Sequence, residues 1–355
     1  MNAPLINLKP VVRIADLADS RTCARIDDYV AAHPGSTLFH RPQWSRAVEV
    51  GCRQNALYLI AEKAGVLVGC LPLSEIRSRL FGHALASAGF ATGGGIIADD
   101  KEIGTQLAEA AWHLAREKKV DSAELRGGPI PPGWVESTGV YANFDRDLPE
   151  DGEALLKSIP KRQRAEIRRA LDLGLDVSSG QDQAHRNAFF QVYSESVRNL
   201  GTPVFPRALF ESALDGFGDA AGIDLISRDG RPLAAMIRFD FKQVCQPYWG
   251  GGTLAARQWR ANDLVYFEVM RRGLERGCTK ADFGRSKIGT GPWARKRIWG
   301  FAERPLIYAA RTSAGTTPRQ INPMSPKFRL RVAAWQKVPL FVANRLGPLI
   351  ARGLG

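Results

Sequence analysis

Two stretches of this chain, roughly 160 residues apart, run through the same succession of elements, and this internal repeat limits the fold more than any single motif. In the first, Leu57–Glu75 alternates like two strands around the turn Lys63-Ala64-Gly65. A strand-like piece, Ala84–Gly89, follows and leads into Thr92-Gly93-Gly94-Gly95. Ile103, Leu107, Ala111, Leu114 and Ala115 then share one helical face, and Val120–Leu125 returns to strand. In the second, Ile223–Ile226 and Leu233–Phe239 flank Arg228-Asp229-Gly230-Arg231, whose Asp-Gly pair is a strong hairpin turn. Val244–Gly250 reads as the next strand and runs into Gly250-Gly251-Gly252. Asn262 is the expected cap of a helix carrying Leu264, Phe267, Met270 and Leu274, which stops at Arg276-Gly277. Strand Lys280–Phe283 closes the second copy.

Ahead of the first copy, Thr22–Ala32 reads as a helix, and Pro42 suits the start of a second, short one. With 355 residues the chain exceeds one ordinary core, so two α/β units are expected. A net charge of +13 and a pI near 9.8 favour an anionic partner, whether nucleic acid, a phosphorylated substrate or a membrane surface. The five cysteines form no CxxC pair and read as reduced thiols, and the five histidines never reach metal-ligand spacing, so no metal site is expected. The N-terminus lacks the basic and apolar regions of a secretory signal, and no apolar run approaches the roughly 20 residues a membrane span needs. A cytoplasmic location, or a peripheral one on the inner face of the cytoplasmic membrane, is the expectation.

The chemistry concentrates between Ala281 and Phe301, ADFGRSKIGTGPWARKRIWGF. After Asp282 and Phe283, the run Gly284, Arg285, Ser286 and Lys287 leads to a loop with Gly289 and Gly291, able to turn N–H groups toward an anion. Arg295, Lys296 and Arg297 follow, and Trp299-Gly300-Phe301 closes the segment. Backbone donors, fixed cations and flanking aromatics suit a site that holds phosphate or stabilises developing negative charge. A glycine turn with tryptophans in the core and cations in water is the competing reading.

A second motif lies between the copies, SIPKRQRAEIRRAL from Ser158 to Leu171. Ser158 suits a cap, Pro160 a first turn and Gly174 a stop, giving a basic helix over 158–173. Lys161, Arg164 and Arg168 fall in one stripe while Ile167, Ala170 and Leu171 face elsewhere, so the helix can dock and still present cations to phosphate. A solvated basic face competes with this. Tyr248 and Trp249, at the end of the central strand, are candidate substrate contacts or core aromatics. From Arg304 onward nine Lys or Arg residues occur with no Asp or Glu. There Phe328, Val332 and Trp335, then Leu340, Phe341, Leu346, Leu349 and Ile350, alternate with Lys327, Arg329, Arg331, Lys337, Arg345 and Arg352. That pattern fits a basic amphipathic piece over 325–352 lying on an anionic membrane, or a helix packed on the domain; Pro339 and Pro348 exclude a span.

The wording DFGRSKxGTG followed by KxxWGF resembles the C-terminal signature of the FemAB-related (Fem-type) aminoacyl and peptidyl transferases, most of all the branch that accompanies exosortase/PEP-CTERM exopolysaccharide systems of Gram-negative bacteria. The basic helix is similar to one that opens the second unit in that family. The resemblance implies an α/β (α+β) fold of two GNAT-like units, each a mixed, mostly antiparallel sheet flanked by helices, at 1–150 and 151–315, with the basic tail at 316–355. It implies an amide-forming acyltransferase that moves an aminoacyl or acyl group onto an amine of a lipid- or nucleotide-linked cell-envelope or exopolysaccharide precursor. By this likeness Lys296 matches the family's KxxWG lysine and would act on the oxyanion and phosphate side, with Arg285 and Lys287 assisting.

Attack of an amine on an activated ester or thioester needs alignment, a proton acceptor and oxyanion stabilisation. Asp282 is the candidate acceptor or orienting group, with an ion pair to an arginine as its structural alternative. The expected ligands of substrate and phosphate are Lys161, Arg164, Arg168, Tyr248, Trp249, Arg285, Ser286, Lys287, Gly289, Gly291 and Trp299. No cofactor is expected to be tightly bound; the activated donor is a co-substrate. Neither unit carries the Arg/Gln-x-x-Gly-x-Gly/Ala turn that holds coenzyme A pyrophosphate, which favours another donor. No heptad run of the kind that accompanies charged tRNA is present either, so aminoacyl-tRNA and acyl-CoA both stay open. An acyl-CoA-dependent N-acetyltransferase and a non-catalytic RNA- or membrane-binding module are the rival readings.

Overall fold

A computed structural model describes residues 9–78, 80–313 and 326–355, with the backbone alone at 326–329. The expected start of the tail at Ser325, the side chains of Lys327, Phe328 and Arg329, and the first eight residues of the N-terminal segment lie outside the described residues.

The elements follow the chain in two groups. The first holds β1 (Val11–Ile14), α1 (Ser20–Ala32), α2 (Pro42–Cys52), β2 (Asn55–Lys63), β3 (Val66–Ser78), β4 (Gly82–Ser87), β5 (Ile97–Ala98), α3 (Lys101–Glu117), β6 (Ser122–Arg126) and β7 (Val135–Ser137). The second holds β8 (Tyr141–Asp147), α4 (Gly152–Ser158), α5 (Lys161–Leu171), β9 (Asp176–Gly180), α6 (Gln183–Asn199), α7 (Arg207–Phe217), β10 (Ala221–Arg228), β11 (Arg231–Phe241) and β12 (Val244–Gly252). It continues with α8 (Ala261–Glu275), β13 (Lys280–Lys287), α9 (Gly291–Ile298) and β14 (Ala302–Pro305). After these come β15 (Tyr308–Thr312), α10 (Pro326–Trp335) and α11 (Leu340–Ala351).

The first unit is an eight-stranded sheet in the order β1-β2-β3-β4-β6-β15-β7, with β5 on β3. Its strands pair antiparallel except β4 and β6, which run parallel from Ala84↔Ser122 to Ala86↔Glu124. Helix α3, capped by Asp100 through the Ile103 N–H, buries Ile103, Leu107 and Ala111 against Leu59, Leu71, Leu85 and Leu125. The helix comes so close at Gly69 that a Cβ there would lie 2.9 Å from the Ile103 side chain. Glu75 of β3 has no exposed side-chain surface and is ringed by Asn55 (3.0 Å), Arg77 (2.6 Å), His83 (3.1 Å) and Lys118 (3.2 Å). Burial alone would raise this carboxyl, but those four donors outweigh it and hold it down to about 2.

The second unit is a seven-stranded sheet in the order β14-β8-β13-β12-β11-β10-β9. Here too one pair, β12 and β13, is parallel. On one face α8 packs Leu264, Val265, Phe267 and Met270 against Ala234, Met236, Cys245 and Ala281. Elsewhere in the unit α6 and α7 bring Phe189, Tyr193 and Phe210 to Trp249 and Phe239. A buried Asp224 accepts from Arg238 of β11 at 3.3 Å and faces Arg272 of α8 at 3.2 Å, an ionic pin between helix and sheet.

The repeated order of hairpin, strand, helix and strand is therefore a repeated topology. Several boundaries differ from the sequence expectation. Strand β8 lies before residue 150 yet pairs in the second sheet, and β15 follows the second sheet in sequence yet pairs with β6 and β7 in the first. The compact units accordingly change at Ser137/Thr138 and at Leu306/Ile307, and the last residues, Arg352–Gly355, group with the first unit. Ser158 does not cap the basic helix; it ends α4, its hydroxyl donating to Leu155 O at 2.7 Å, and α5 begins at Lys161 after Pro160. Asn262 does not cap α8, because Arg260, with φ of 54°, takes the cap position.

Candidate functional site

The parallel strands β12 and β13 are joined by ladder bonds only at Val244↔Lys280 and Cys245↔Ala281. Beyond that point β12 stays with β11 and β13 with β8, so the two strands part and leave a gap in the middle of the sheet. Each strand carries a bulge beside the gap. On β12, Ile237 faces Trp249 while Arg238 faces Pro247, which leaves Tyr248 as the extra residue. On β13, Asp282 faces Asp145 and Arg285 faces Asn143, so Phe283 and Gly284 oppose Phe144 alone. Gly284 takes φ of 64°, the left-handed region that glycine enters without penalty, and this explains the glycine after Asp-Phe. The expected end of the strand at Gly284 is thus a bulge within a longer strand that runs to Lys287.

Asp282 stands where the strands part. Its Oδ1 accepts from Asn143 Nδ2 at 2.9 Å and from the Gly284 N–H at 2.8 Å, and its Oδ2 from Gln246 Nε2 at 3.3 Å. Three neighbouring strands thereby align Asn143, Asp282 and Gln246 in one polar row. Asp145 lies on the same side of β8 and takes a 2.6 Å bond from Arg304 of β14. Burial pushes the Asp282 carboxyl up; the Gly284 and Asn143 bonds and Lys296 pull it back, and the charge of Asp145 adds to the rise. A carboxyl poised above its usual range beside a gap in the sheet is able to take a proton from an incoming amine.

Lys296 of α9 is buried, and its Nζ donates to three successive main-chain carbonyls: Phe283 at 2.5 Å, Gly284 at 3.0 Å and Arg285 at 3.2 Å. These are the carbonyls of the β13 bulge. Burial lowers the amine to about 8, against the opposing pull of Asp282. An ammonium has three protons, and all three are directed at main chain. The expected direct role of Lys296 on an oxyanion gives way to a clamp that fixes the bulge carrying Asp282.

The remaining expected site residues separate into groups. Arg285 stacks over Tyr141 at 4.9 Å, Ser286 is buried, and burial lowers the Lys287 amine. The Lys287 carbonyl accepts from the Thr290 hydroxyl at 2.6 Å, which closes a tight turn around Gly289, with φ of 82°, before Gly291 opens α9. On α5, Lys161 and Arg168 are exposed, whereas Arg164 donates to Lys157 O at 2.9 Å. Tyr248 is partly exposed at its bulge. Trp249 and Trp299 are core residues instead of substrate contacts: Trp249 packs on Phe210 at 5.1 Å, and Trp299 is fully buried against Tyr266 at 5.2 Å. Asn143, Asp145 and Gln246 escaped sequence reasoning. The run Ala142-Asn143-Phe144-Asp145 held a signal, polar residues alternating with apolar ones on a strand.

Among the described residues no group of three or more His, Cys, Asp or Glu is placed to hold a metal. Residues 158–295 match the family described as an acetyltransferase (GNAT) domain. No curated protein matches the chain in sequence. Solved structures of similar fold include FemX, with TM-score 0.65, 15% identity, and coverage of 84% of this chain and 96% of that one. The tandem GNAT protein from the clavulanic acid biosynthesis pathway gives TM-score 0.57 and 12% identity over 87% of this chain and 100% of that one. L-PGS from Bacillus licheniformis gives TM-score 0.55 and 14% identity over 94% of this chain and 98% of that one. The fold is thus a double GNAT-like fold, and the segment that holds Gln246, Asp282 and most of α9 is the one that matches the acetyltransferase (GNAT) domain model.

Proposed function

We propose that this chain is a Fem-type N-acyltransferase that moves an aminoacyl or acyl group onto an amine of a lipid- or nucleotide-linked cell-envelope or exopolysaccharide precursor. The observation that carries the reading is the parting of β12 and β13 beside Asp282, whose carboxyl is held by Asn143 and Gln246 and raised by burial. An extended chain fits a gap between strands, and an amine reaching Asp282 there has its proton acceptor in place.

The step is an acyl transfer. The amine nitrogen attacks the carbonyl carbon of an ester or thioester donor, and the C–N bond forms as the carbonyl oxygen takes negative charge. The nitrogen's proton passes to Asp282, the C–O or C–S bond breaks, and the alcohol or thiol leaves with that proton, which returns Asp282 to its ionised form. Arg285 and Lys287 on β13, with Lys161 and Arg168 on α5, are the cations for the oxyanion and for phosphate. Lys296 acts through the bulge, as a positioning residue.

The test is binding and turnover by the purified chain with acyl-CoA, with aminoacyl-tRNA, and with nucleotide- or lipid-linked amino-sugar precursors, the amide product being read by mass spectrometry. Saturable stabilisation by one donor and one acceptor, with an amide product lost in Asp282→Asn, is expected. Acetylation from acetyl-CoA alone would establish the N-acetyltransferase reading instead. Salt-sensitive binding to every polyanion with no product would leave a binding module.

A further inference from the structure

Helix α11 is built the wrong way round for a helix that serves only to cover a domain. The face it turns to the second unit consists of small residues, Ala343, Gly347 and Ala351, all buried. At Gly347 the approach is so close that a Cβ would lie 2.7 Å from the Val204 nitrogen. Its large apolar residues point away. Phe341 is 75% exposed, Leu349 63% and Leu346 46%, within one 140° sector that also contains exposed Arg345. Helix α10 turns larger residues inward, with Trp335 Nε1 donating to Thr202 O at 3.1 Å and Val332 meeting Gly201, and likewise leaves an apolar side chain outside, Leu330 at 77% exposed.

Phe341 and Leu349 thus stand exposed on the side of α11 opposite its buried small residues. An exposed face of this kind marks a contact. Its charge selects the partner. Arg331 on α10, Lys337 in the link between the helices and Arg345 on α11 are exposed, and no acidic residue occurs from Arg304 to the end. A second copy of the same face would bring like charges together, whereas an anionic lipid surface takes both the cations and the apolar side chains. No helix among the described residues is long and apolar enough to cross a membrane, and Pro348 lies inside α11. We infer that α10 and α11 dock the chain on an anionic lipid surface, with Phe341, Leu346 and Leu349 entering the interface and Arg345 and Lys337 pairing with headgroup phosphates. The surface is independent of which donor or acceptor the second unit uses.

The experiment is flotation of the purified full chain with vesicles of phosphatidylglycerol and phosphatidylcholine, and with phosphatidylcholine alone. The expected result is flotation with the anionic vesicles only. Phe341→Glu combined with Leu349→Glu should weaken it at least tenfold, and Arg345→Glu alone about tenfold, with melting curves unchanged because all three side chains are exposed. Equal flotation with both vesicles, no flotation, or flotation indifferent to the variants would overturn the proposal. So would a wild-type dimer that the double variant dissociates while vesicles are ignored, which would make the face a protein interface. Amide formation in solution proceeds regardless, so failure here and failure of the transferase reading are separable.

Discussion

Lys296 Nζ lies 2.5 Å from the carbonyl oxygen of Phe283, and through that bond a helix after the strand holds the bulge before the turn. Replacing Lys296 with Met would take the ammonium donor away from the carbonyls of Phe283, Gly284 and Arg285, the first two of them buried contacts. At about 1–3 kcal/mol for a buried group left unsatisfied, the variant should lose about 3 kcal/mol in denaturant unfolding. Transfer activity should fall with it even below the unfolding transition, because Asp282 shares the bulge. A variant as stable as the wild type would remove the clamp from the account.

Asp282→Asn keeps a side chain able to accept from the Gly284 N–H but removes the proposed proton acceptor. The transfer rate should drop by about 10²–10⁴ with little change in acceptor KM. The sign of the pH effect follows from the need for an ionised carboxyl. Activity rises with pH through the raised Asp282 value, and that limb disappears in Asp282→Asn. Asn143→Leu removes a bond that lowers the carboxyl, so the same limb should move to higher pH. A pH profile identical in all three enzymes would exclude Asp282 as the base.

Gly284→Ala places a Cβ on a residue with φ of 64°. The left-handed conformation costs a non-glycine residue about 1–2 kcal/mol, so a corresponding fall in unfolding free energy is expected. Gly291→Ala, at the first position of α9 with nothing within 4 Å of the added carbon, is the control and should be neutral or slightly stabilising.

The first unit should be acid-labile through Glu75. Its carboxyl sits at about 2 in the folded chain against an ordinary 4.5, so the folded state favours the ionised form. The stabilisation is complete above the unfolded value and is lost as pH falls through the folded one, a window from about pH 5 to pH 2. Urea unfolding followed across that window should show a steeper loss for the wild type than for Glu75→Gln. Parallel slopes would mean that the ring of Asn55, Arg77, His83 and Lys118 is without effect.

The repeat was readable because hairpins, strands and helices declare themselves by local pattern: Asp229-Gly230 for a turn, Ile103 to Ala115 for a helical face. The motif was readable too, since Asp282 and Gly284 stand where residue type predicts chemistry or unusual backbone. The partners of Asp282 were not. Asn143 and Gln246 are 139 and 36 residues away along the chain, and only the register of β8, β12 and β13 brings them together. Lys296 was read as a cation for an oxyanion, whereas its Nζ donates to main-chain carbonyls, because a sequence shows a cation and not where its protons point. Trp249 and Trp299 fail for a related reason, in that an aromatic beside a glycine looks the same whether it meets a ligand or the core.

The return of β15 to the first sheet sets a rule for dissecting this protein. Cutting after residue 137 would take away the strand that separates β6 from β7, and a fragment made that way would expose two unpaired strand edges, an invitation to aggregate. A faithful half-protein would have to be a permuted or grafted chain in which Tyr308–Thr312 is carried back to its sheet. The chain thus repeats one topology, but it cannot be divided at a single point into its two units.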